Sequence, residues 1–131
     1  MGATELQRVV IVDDDKGMRQ ALRRLLDAAG YAAHAYACAE DADRSGEVAR
    51  AKCLVLDIHL QGRSGPHWYA AMDRGRPPAV FITAYDSDEA RGSVAAAAGS
   101  ACLTKPFEGS ALLDAIAKAI ASPAARTGSR L

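Results

Sequence analysis

The sequence has no excess charge of either sign, no paired-cysteine motif and no long hydrophobic run. Its 131 residues carry 16 Lys plus Arg and 16 Asp plus Glu. It therefore lacks the strongly basic surface that nucleic acid or an anionic membrane favours. No apolar stretch approaches the roughly 20 residues needed to cross a bilayer. We expect a chain that neither binds nucleic acid directly nor enters a membrane.

The cysteines and histidines show no metal-binding or disulfide pattern. Cys38, Cys53 and Cys102 form no CxxC pair and are odd in number, and His34 and His67 have no ligand spacing between them. No signal-peptide pattern precedes the cysteines. Reduced thiols packed as small apolar residues are therefore favoured over disulfides or zinc, and a cytoplasmic location is expected.

The hydrophobic pattern predicts one α/β domain. Half of the residues are hydrophobic, and strand-like apolar runs alternate with segments of helical period, which is typical of βαβ units around a parallel sheet. The predicted strands cover about 8–12, 32–36, 54–56, 79–83 and 101–104. The predicted helices cover about 18–29, 39–44, 88–98 and 112–120, and a further helix runs from a cap at Ser64 through Met72 to near Gly75. The composition then turns to Ser, Pro, Ala, Arg and Gly, which predicts a disordered tail or linker stub over 122–131.

Acidic residues follow two of the predicted strands. Asp13, Asp14 and Asp15 come directly after the first apolar run, and Asp57 ends the third. The carboxyl ends of parallel strands meet at one edge of a sheet, where ligands collect. Carboxylates that close repel one another and lose hydration unless a cation or a shared proton compensates. The pattern therefore predicts a site for a hard metal such as Mg²⁺.

Thr83 and Lys105 stand at the same predicted edge, after the fourth and fifth strands. A carboxylate can attack a phosphoryl group, while a hydroxyl and an ammonium group receive its oxygens. Each residue alone has an ordinary explanation, such as a helix cap for an aspartate or a solvated charge for the lysine. Their spacing across successive βα units indicates phosphoryl transfer.

The chain resembles the receiver domain of two-component response regulators, a chemotaxis-type, flavodoxin-like fold. The matching stretches run in the family's order, from about residue 8 to residue 121: Ile11-Val12-Asp13-Asp14-Asp15, Leu54-Val55-Leu56-Asp57, Ser64-Gly65, Phe81-Ile82-Thr83-Ala84 and Thr104-Lys105-Pro106-Phe107. The resemblance implies a (βα)5 three-layer sandwich with a five-stranded parallel sheet of order 2-1-3-4-5. It also implies one receiver domain over residues 1–121.

The resemblance implies a role for each acid. Asp57 would accept a phosphoryl group from a sensor histidine kinase or a phosphotransfer protein. The implied Mg²⁺ ligands are Asp13, Asp14, Asp57 and the backbone carbonyl of His59. Asp15 is interpreted as a solvent-facing turn residue.

The remaining residues would convert phosphorylation into a signal. Thr83 would hydrogen-bond the attached phosphoryl group and Lys105, next to a cis peptide before Pro106, would pair with its oxygens. The group adds about −1.5 to −2 charges, and the new bonds would pull on the fourth and fifth strands. The implied product is a signalling switch, not an enzyme. Its output would be a downstream protein or a lost C-terminal domain, with a possible homodimer through helix 4, strand 5 and helix 5.

The chain departs from the family pattern at several positions. Cys102 occupies the place of an aromatic residue that usually turns inward on activation, so we expect a packed strand thiol and output by helix displacement. Gln61 and Gly62 replace a common proline and predict a more flexible loop. His59 and Tyr85 lie two residues after Asp57 and Thr83, where the family tunes phosphoryl lifetime.

Two alternatives stay open at this stage. A pseudo-receiver would be an interaction module without phosphorylation, although all five site residues are present. A haloacid-dehalogenase-like phosphatase would also use an aspartate triplet after a strand. That family needs a later acidic pair at a strand end, whereas Glu108 and Asp114 fall in or near the last predicted helix, and the length leaves no room for a cap domain.

Overall fold

The computed structural model describes residues 6–73 and 75–122, which build a five-stranded parallel sheet with helices on both faces. The strands of this sheet, numbered in chain order, are β1 Arg8–Val12, β2 Ala32–Tyr36, β3 Cys53–Asp57, β4 Ala79–Thr83 and β5 Ala101–Thr104. Their spatial order is β2-β1-β3-β4-β5, with every neighbouring pair parallel. The predicted flavodoxin-like α/β fold and its 2-1-3-4-5 order are confirmed.

Five helices connect or follow the strands. They are α1 Lys16–Ala28, α2 Ala39–Ser45, α3 Gly65–Ala70, α4 Asp88–Ala96 and α5 Gly109–Ile120, with a 3-10 turn at Val48–Arg50. Within the described residues, no helix is long and apolar enough to span a membrane. The domain boundary at residue 121 stays a prediction, and the predicted tail lies outside the described residues from residue 123 onward.

The sheet separates two hydrophobic cores because successive strand residues point to opposite faces. Val10, Leu54 and Phe81 belong to the core on one face, and Val9 and Ile82 belong to the core on the other. Every residue of β3 and β4 is buried. Burial of each such aliphatic or aromatic side chain stabilises the fold by about 1.5–3 kcal/mol. These central strands therefore hold the residues at their carboxyl ends in fixed positions.

Side-chain caps fix where three helices begin. Asp15, Ser64 and Ser87 accept hydrogen bonds from backbone N–H groups in the first turns of α1, α3 and α4. Such caps contribute about 1 kcal/mol each.

Two helices end earlier than the sequence predicts. The α3 helix ends at Ala70, so Met72 follows it rather than lying within it. The α4 helix ends at Ala96, and Ala98, with a φ of 62°, rather than Gly99 adopts the left-handed conformation that ends the turn.

A short antiparallel hairpin fills the segment between β3 and α3. His59–Leu60 pairs with Arg63–Ser64 around Gln61 and Gly62, whose φ of 80° suits glycine. Arg63 also lies 3.7 Å from Glu40 of α2. A flexible loop was predicted here, and the pairing was not, because runs of two residues carry no periodic signal.

Gly99 is glycine because of space and not because of its backbone angles. A Cβ at this position would lie 2.7 Å from both the Phe81 ring and a methyl group of Val94. Phe81 is fully buried and cannot move aside freely. Gly92, within α4, has no atom within 4 Å of its own Cβ position.

These two glycines give a matched prediction for stability. Gly99→Ala should lower the free energy of unfolding by about 1–3 kcal/mol because it overpacks the core. Gly92→Ala should raise it by about 0.5–1 kcal/mol because alanine favours the helix. Urea unfolding of both variants measures the difference, and equal effects of the same sign would contradict this view of the α4 packing.

Candidate functional site

Three carboxylates from two strand ends meet at the carboxyl edge of the sheet. Asp13 follows β1 directly and Asp57 is the last residue of β3, and each pair among Asp13, Asp14 and Asp57 brings carboxylate oxygens within 4.8 Å. Asp13 and Asp57 are buried, whereas Asp14 is exposed. The structure thus brings the predicted acids together around a space suited to one cation.

Lys105 supplies the positive charge nearest to these acids. It follows β5, before the cis peptide to Pro106, and its Nζ lies 3.4 Å from Asp13 Oδ2 and 3.5 Å from Asp57 Oδ2. These distances are long for hydrogen bonds, so the contacts are mainly electrostatic. One ammonium group therefore faces two buried carboxylates and offsets only part of their charge.

Each polar group of Asp13 has its own partner. Its N–H donates to the carbonyl of Tyr36 at 3.2 Å, and its Oδ1 accepts from the N–H of Asp15 at 2.9 Å. Its carbonyl accepts from Nη1 of Arg19 at 2.8 Å, and its Oδ2 faces Lys105. Contacts from β2, α1, the acidic loop and the end of β5 thus hold one residue.

The environment of Asp13 opposes its own charge. Burial raises the pKa of its carboxyl group above the ordinary value, and the negative charge of Asp57 raises it further. The N–H of Asp15 and the ammonium of Lys105 act in the opposite direction without cancelling the rise in pKa. A divalent cation among these acids would relieve both the repulsion and the lost hydration.

Asp57 is held by the backbone that follows it. Its Oδ1 accepts a hydrogen bond from the N–H of His59 at 2.9 Å. The imidazole of His59 is exposed at the rim of the site. Asp57 therefore has one oxygen fixed by the chain and the other facing Lys105.

Gly65 packs directly against the backbone of Asp57. A Cβ on Gly65 would lie 2.2 Å from the Asp57 carbonyl oxygen, and the Gly65 N–H donates to Ile58 at 2.8 Å. No side chain fits there, so glycine lets α3 begin directly beside the strand end.

Thr83 ends β4, the strand beside β3, and its hydroxyl is engaged within its own loop. The residue is 1 % exposed, and its Oγ1 donates to the Tyr85 carbonyl at 3.0 Å and accepts from the Tyr85 N–H at 3.1 Å. The Tyr85 ring is 73 % exposed. The Lys105 N–H donates to the Thr83 carbonyl at 2.8 Å, which joins the ends of β4 and β5.

Cys102 packs against the core that contains Phe81, so the predicted strand thiol is packed, although it is only half-buried. Burial and the nearby Asp86 carboxylate raise the pKa of its thiol. Asp86 itself forms a bidentate ion pair with Arg91 at 2.7–2.8 Å. All three cysteines are free, and burial raises the pKa of Cys53 to about 12.

The aspartates of the acidic loop, Asp13 to Asp15, have different roles. Asp14 joins the cluster of carboxylates, whereas Asp15 caps α1 by accepting from the Gly17 N–H at 3.0 Å. Asp15 is exposed, as predicted, and its cap role was not foreseen. Arg19 was also missed; the signal available was a cation in the first turn of a helix, where acids are favoured.

A family model described as the response regulator receiver domain matches residues 9–117. The chain belongs to this family. Receiver domains are signalling switches of two-component systems and not enzymes of the ordinary kind, and they bind Mg²⁺ at an acidic pocket. The haloacid-dehalogenase alternative is thereby set aside.

Individual relatives agree with this assignment. The receiver is 32 % identical over 119 residues to the C4-dicarboxylate transport transcriptional regulatory protein DctR of Rhodobacter capsulatus, covering 87 % of this chain and 60 % of that protein. It is 34 % identical over 115 residues to nodulation protein W of Bradyrhizobium diazoefficiens, covering 85 % and 50 %. The receiver thus spans about half to three-fifths of these relatives.

A solved structure gives the same fold. The receiver matches the response regulator receiver protein of Burkholderia phymatum with a TM-score of 0.76 and 31 % identity, covering 88 % of this chain and 95 % of that one.

The raised pKa of Asp13 predicts a pH-dependent effect of its removal. An acid whose pKa is higher in the folded state destabilises the fold above that pKa, because unfolding lets it ionise in water. Asp13→Asn, which keeps an acceptor for the Asp15 N–H, should therefore increase the free energy of unfolding at pH 7 in EDTA. The gain should shrink as the pH falls through the folded pKa toward the ordinary aspartate pKa of 3.8.

Urea unfolding at several pH values tests this expectation. Asp114→Asn, on the exposed side of α5, is the control and should show no comparable gain. A loss of stability for Asp13→Asn at pH 7 would contradict the view that Asp13 is held against electrostatic repulsion.

Proposed function

We propose that this receiver is phosphorylated on Asp57 by a sensor histidine kinase or a phosphotransfer protein, in a reaction that requires Mg²⁺. The observation that carries the proposal is the meeting of three carboxylates within 4.8 Å with an ammonium 3.5 Å from Asp57. A purely structural cluster would gain nothing from burying like charges, which is costly. In a signalling site the repulsion between the acids has a use, because binding of a cation and a phosphoryl group would relieve it and so be favoured.

The donor set fits Mg²⁺. This ion prefers oxygen ligands, keeps several waters and is bound through one or two carboxylates together with phosphate oxygens. The residues that would hold it are Asp13, Asp14, Asp57 and the backbone carbonyl of His59. Bound there, the ion would neutralise charge on the acids and on the incoming phosphoryl group.

The chain's own residues then position the transfer. The His59 N–H holds Oδ1 of Asp57, which leaves Oδ2 as the attacking atom beside Lys105. The new bond joins this oxygen to phosphorus as the bond to the donor nitrogen breaks, and the donor imidazole keeps that electron pair. Lys105 is placed to pair with the phosphoryl oxygens, since it already lies between Asp57 and Asp13.

The conformational switch would begin with a change of hydrogen-bond partner at the Thr83 hydroxyl. To bond the new oxygens, the Thr83 hydroxyl has to leave the Tyr85 carbonyl that it now contacts. That exchange frees the loop between β4 and α4, where Asp86 and Ser87 lie. Tyr85 and His59 stand at the rim, where they would regulate access of water to the phosphoryl group. Because Cys102 replaces the usual aromatic ring, output would run through displacement of α4.

The partner that responds to phosphorylation is either part of the same protein or a separate one. The relatives that the receiver matches are regulatory proteins of greater length, so either a C-terminal output domain or a separate protein target would read the switch. A homodimer through α4, β5 and α5 belongs to the same proposal. Cytoplasmic location stays a prediction.

Labelling with a small phosphodonor tests the proposal. Wild type incubated with Mg²⁺ and acetyl phosphate should gain the mass of one phosphoryl group, and Asp57→Ala should not. Asp27→Ala, on the exposed side of α1, controls for a lost aspartate and should label normally. Equal labelling of Asp57→Ala would defeat the assignment, and no labelling of wild type would favour a pseudo-receiver.

Lys105→Ala should separate phosphorylation from response. The variant keeps the attacking carboxylate and should still accept phosphate, but it lacks the ammonium that pulls the end of β5 toward the new group. Amide chemical shifts of residues 84–104 should change on phosphorylation at least about threefold less than in wild type, as expected for a lost charge-assisted bond of about 1.5–3 kcal/mol.

Lys118→Ala, at an exposed position of α5, is the matched control and should respond as wild type does. A full shift response in Lys105→Ala would show that the lysine is not part of the coupling.

A further inference from the structure

We propose that Arg19 is a positioning residue for the acidic site. By holding the backbone carbonyl of Asp13, it sets the direction in which Asp14 leaves the chain and so pairs the two carboxylates for one divalent cation. The inference rests on the Mg²⁺ site proposed above and adds a residue that does not touch the ion.

Arg19 contacts the acidic loop on both sides of Asp14. Its Nη1 donates to the Asp13 carbonyl at 2.8 Å, and its backbone N–H donates to the Asp15 carbonyl at 2.9 Å. The residue is half-buried in the first turn of α1, so its guanidinium reaches back over the loop. Arg19 therefore binds a carbonyl of each neighbour of Asp14, that of Asp13 through its side chain and that of Asp15 through its backbone.

The planarity of the peptide unit carries this restraint to Asp14. The Asp13 carbonyl and the Asp14 N–H belong to one rigid plane. A donor that holds the carbonyl fixes the rotation of the plane, and with it the starting direction of the Asp14 side chain. In the ranges 6–73 and 75–122, no hydrogen bond or ion pair holds the Asp14 carboxylate itself. Its placement therefore depends on its backbone.

The rest of Asp13 is already fixed, so loss of this bond would act selectively. The N–H of Asp13 is bound to Tyr36 and its Oδ1 to Asp15. A carbonyl on a fully buried residue needs a partner, and without Arg19 it would have to turn toward water. The peptide would then rotate and move Asp14 while the Asp13 carboxylate stayed in place.

The charge of Arg19 is unusual for its position in the helix. The first turn of α1 contains no acidic residue and carries Lys16 and Arg19 instead. Cations there oppose the helix dipole, which favours acids at the N-terminus. Sequences break such local rules mainly at functional sites. The acidic triplet just before α1 explains why Arg19 is found at this position.

Three variants test the proposal. Arg19→Met keeps much of the aliphatic stem and removes the donor, whereas Arg19→Lys restores one charged donor. Arg23→Met is the control, because Arg23 is exposed on the same helix and lies 3.9 Å from Asp27, away from the site. The measurements are the Mg²⁺ dissociation constant by titration calorimetry, the unfolding midpoint in EDTA, and the rate of phosphorylation by acetyl phosphate at low and saturating Mg²⁺.

Arg19→Met should weaken Mg²⁺ binding by about 10-fold or more, the effect typical of groups that orient metal ligands. Arg19→Lys should recover most of the affinity, and Arg23→Met should bind as wild type does. The two methionine variants should unfold at similar midpoints in EDTA. Saturating Mg²⁺ should restore the phosphorylation rate of Arg19→Met, because the attacking Asp57 is untouched.

Wild-type affinity in Arg19→Met would overturn the proposal. So would a weaker affinity that Arg19→Lys fails to restore, together with an unfolding midpoint well below that of Arg23→Met, since that result assigns Arg19 a structural role alone. Failure of wild type to bind Mg²⁺ would instead defeat the proposed function, and this inference with it.

Discussion

Repulsion between buried carboxylates is the constraint on which the site depends. Asp13 and Asp57 come from strands that lie side by side, and the sheet gives them no room to separate. Lys105 lies within 3.5 Å of both and balances one of the two charges. Under the proposed function this imbalance would make the site responsive, because a cation and a phosphoryl group would each change the charge that the same few atoms have to balance.

The rest of the structure keeps those atoms in place. Central strands buried along their full length prevent the acids from moving apart, and Gly65 lets α3 begin against the carbonyl of Asp57. The acidic loop is closed by the Asp15 cap and by Arg19. By contrast, the Thr83 hydroxyl is bound only within its own loop. The acids are therefore held on a rigid frame. The Thr83 hydroxyl, which can change its hydrogen-bond partner, lies on the side of the site that leads to α4.

Much of this arrangement could be predicted, because it follows from the hydrophobic periodicity of the sequence and from the order of strands and helices along the chain. Short apolar runs alternating with helical periods predicted all five strands of the main sheet, and the topology of parallel sheets predicted that Asp13, Asp57, Thr83 and Lys105 stand at one edge. The helix ends were harder, since the steric demand on Gly99 comes from Phe81, which is distant in sequence. The same holds for Gly65 and for the short hairpin after Asp57. Arg19 was missed because a long flexible side chain gives no sign of where its head group lies.

The central claim is that the three acids share one divalent cation beside Asp57. A crystal soaked in Mn²⁺, an ion with similar ligand preferences and a measurable anomalous signal, tests it most directly. We expect one anomalous peak within bonding distance of the carboxylates of Asp13 and Asp57, with Asp14 facing it directly or through water. An empty acidic edge at saturating Mn²⁺, or a peak bound only elsewhere on the molecule, would contradict it.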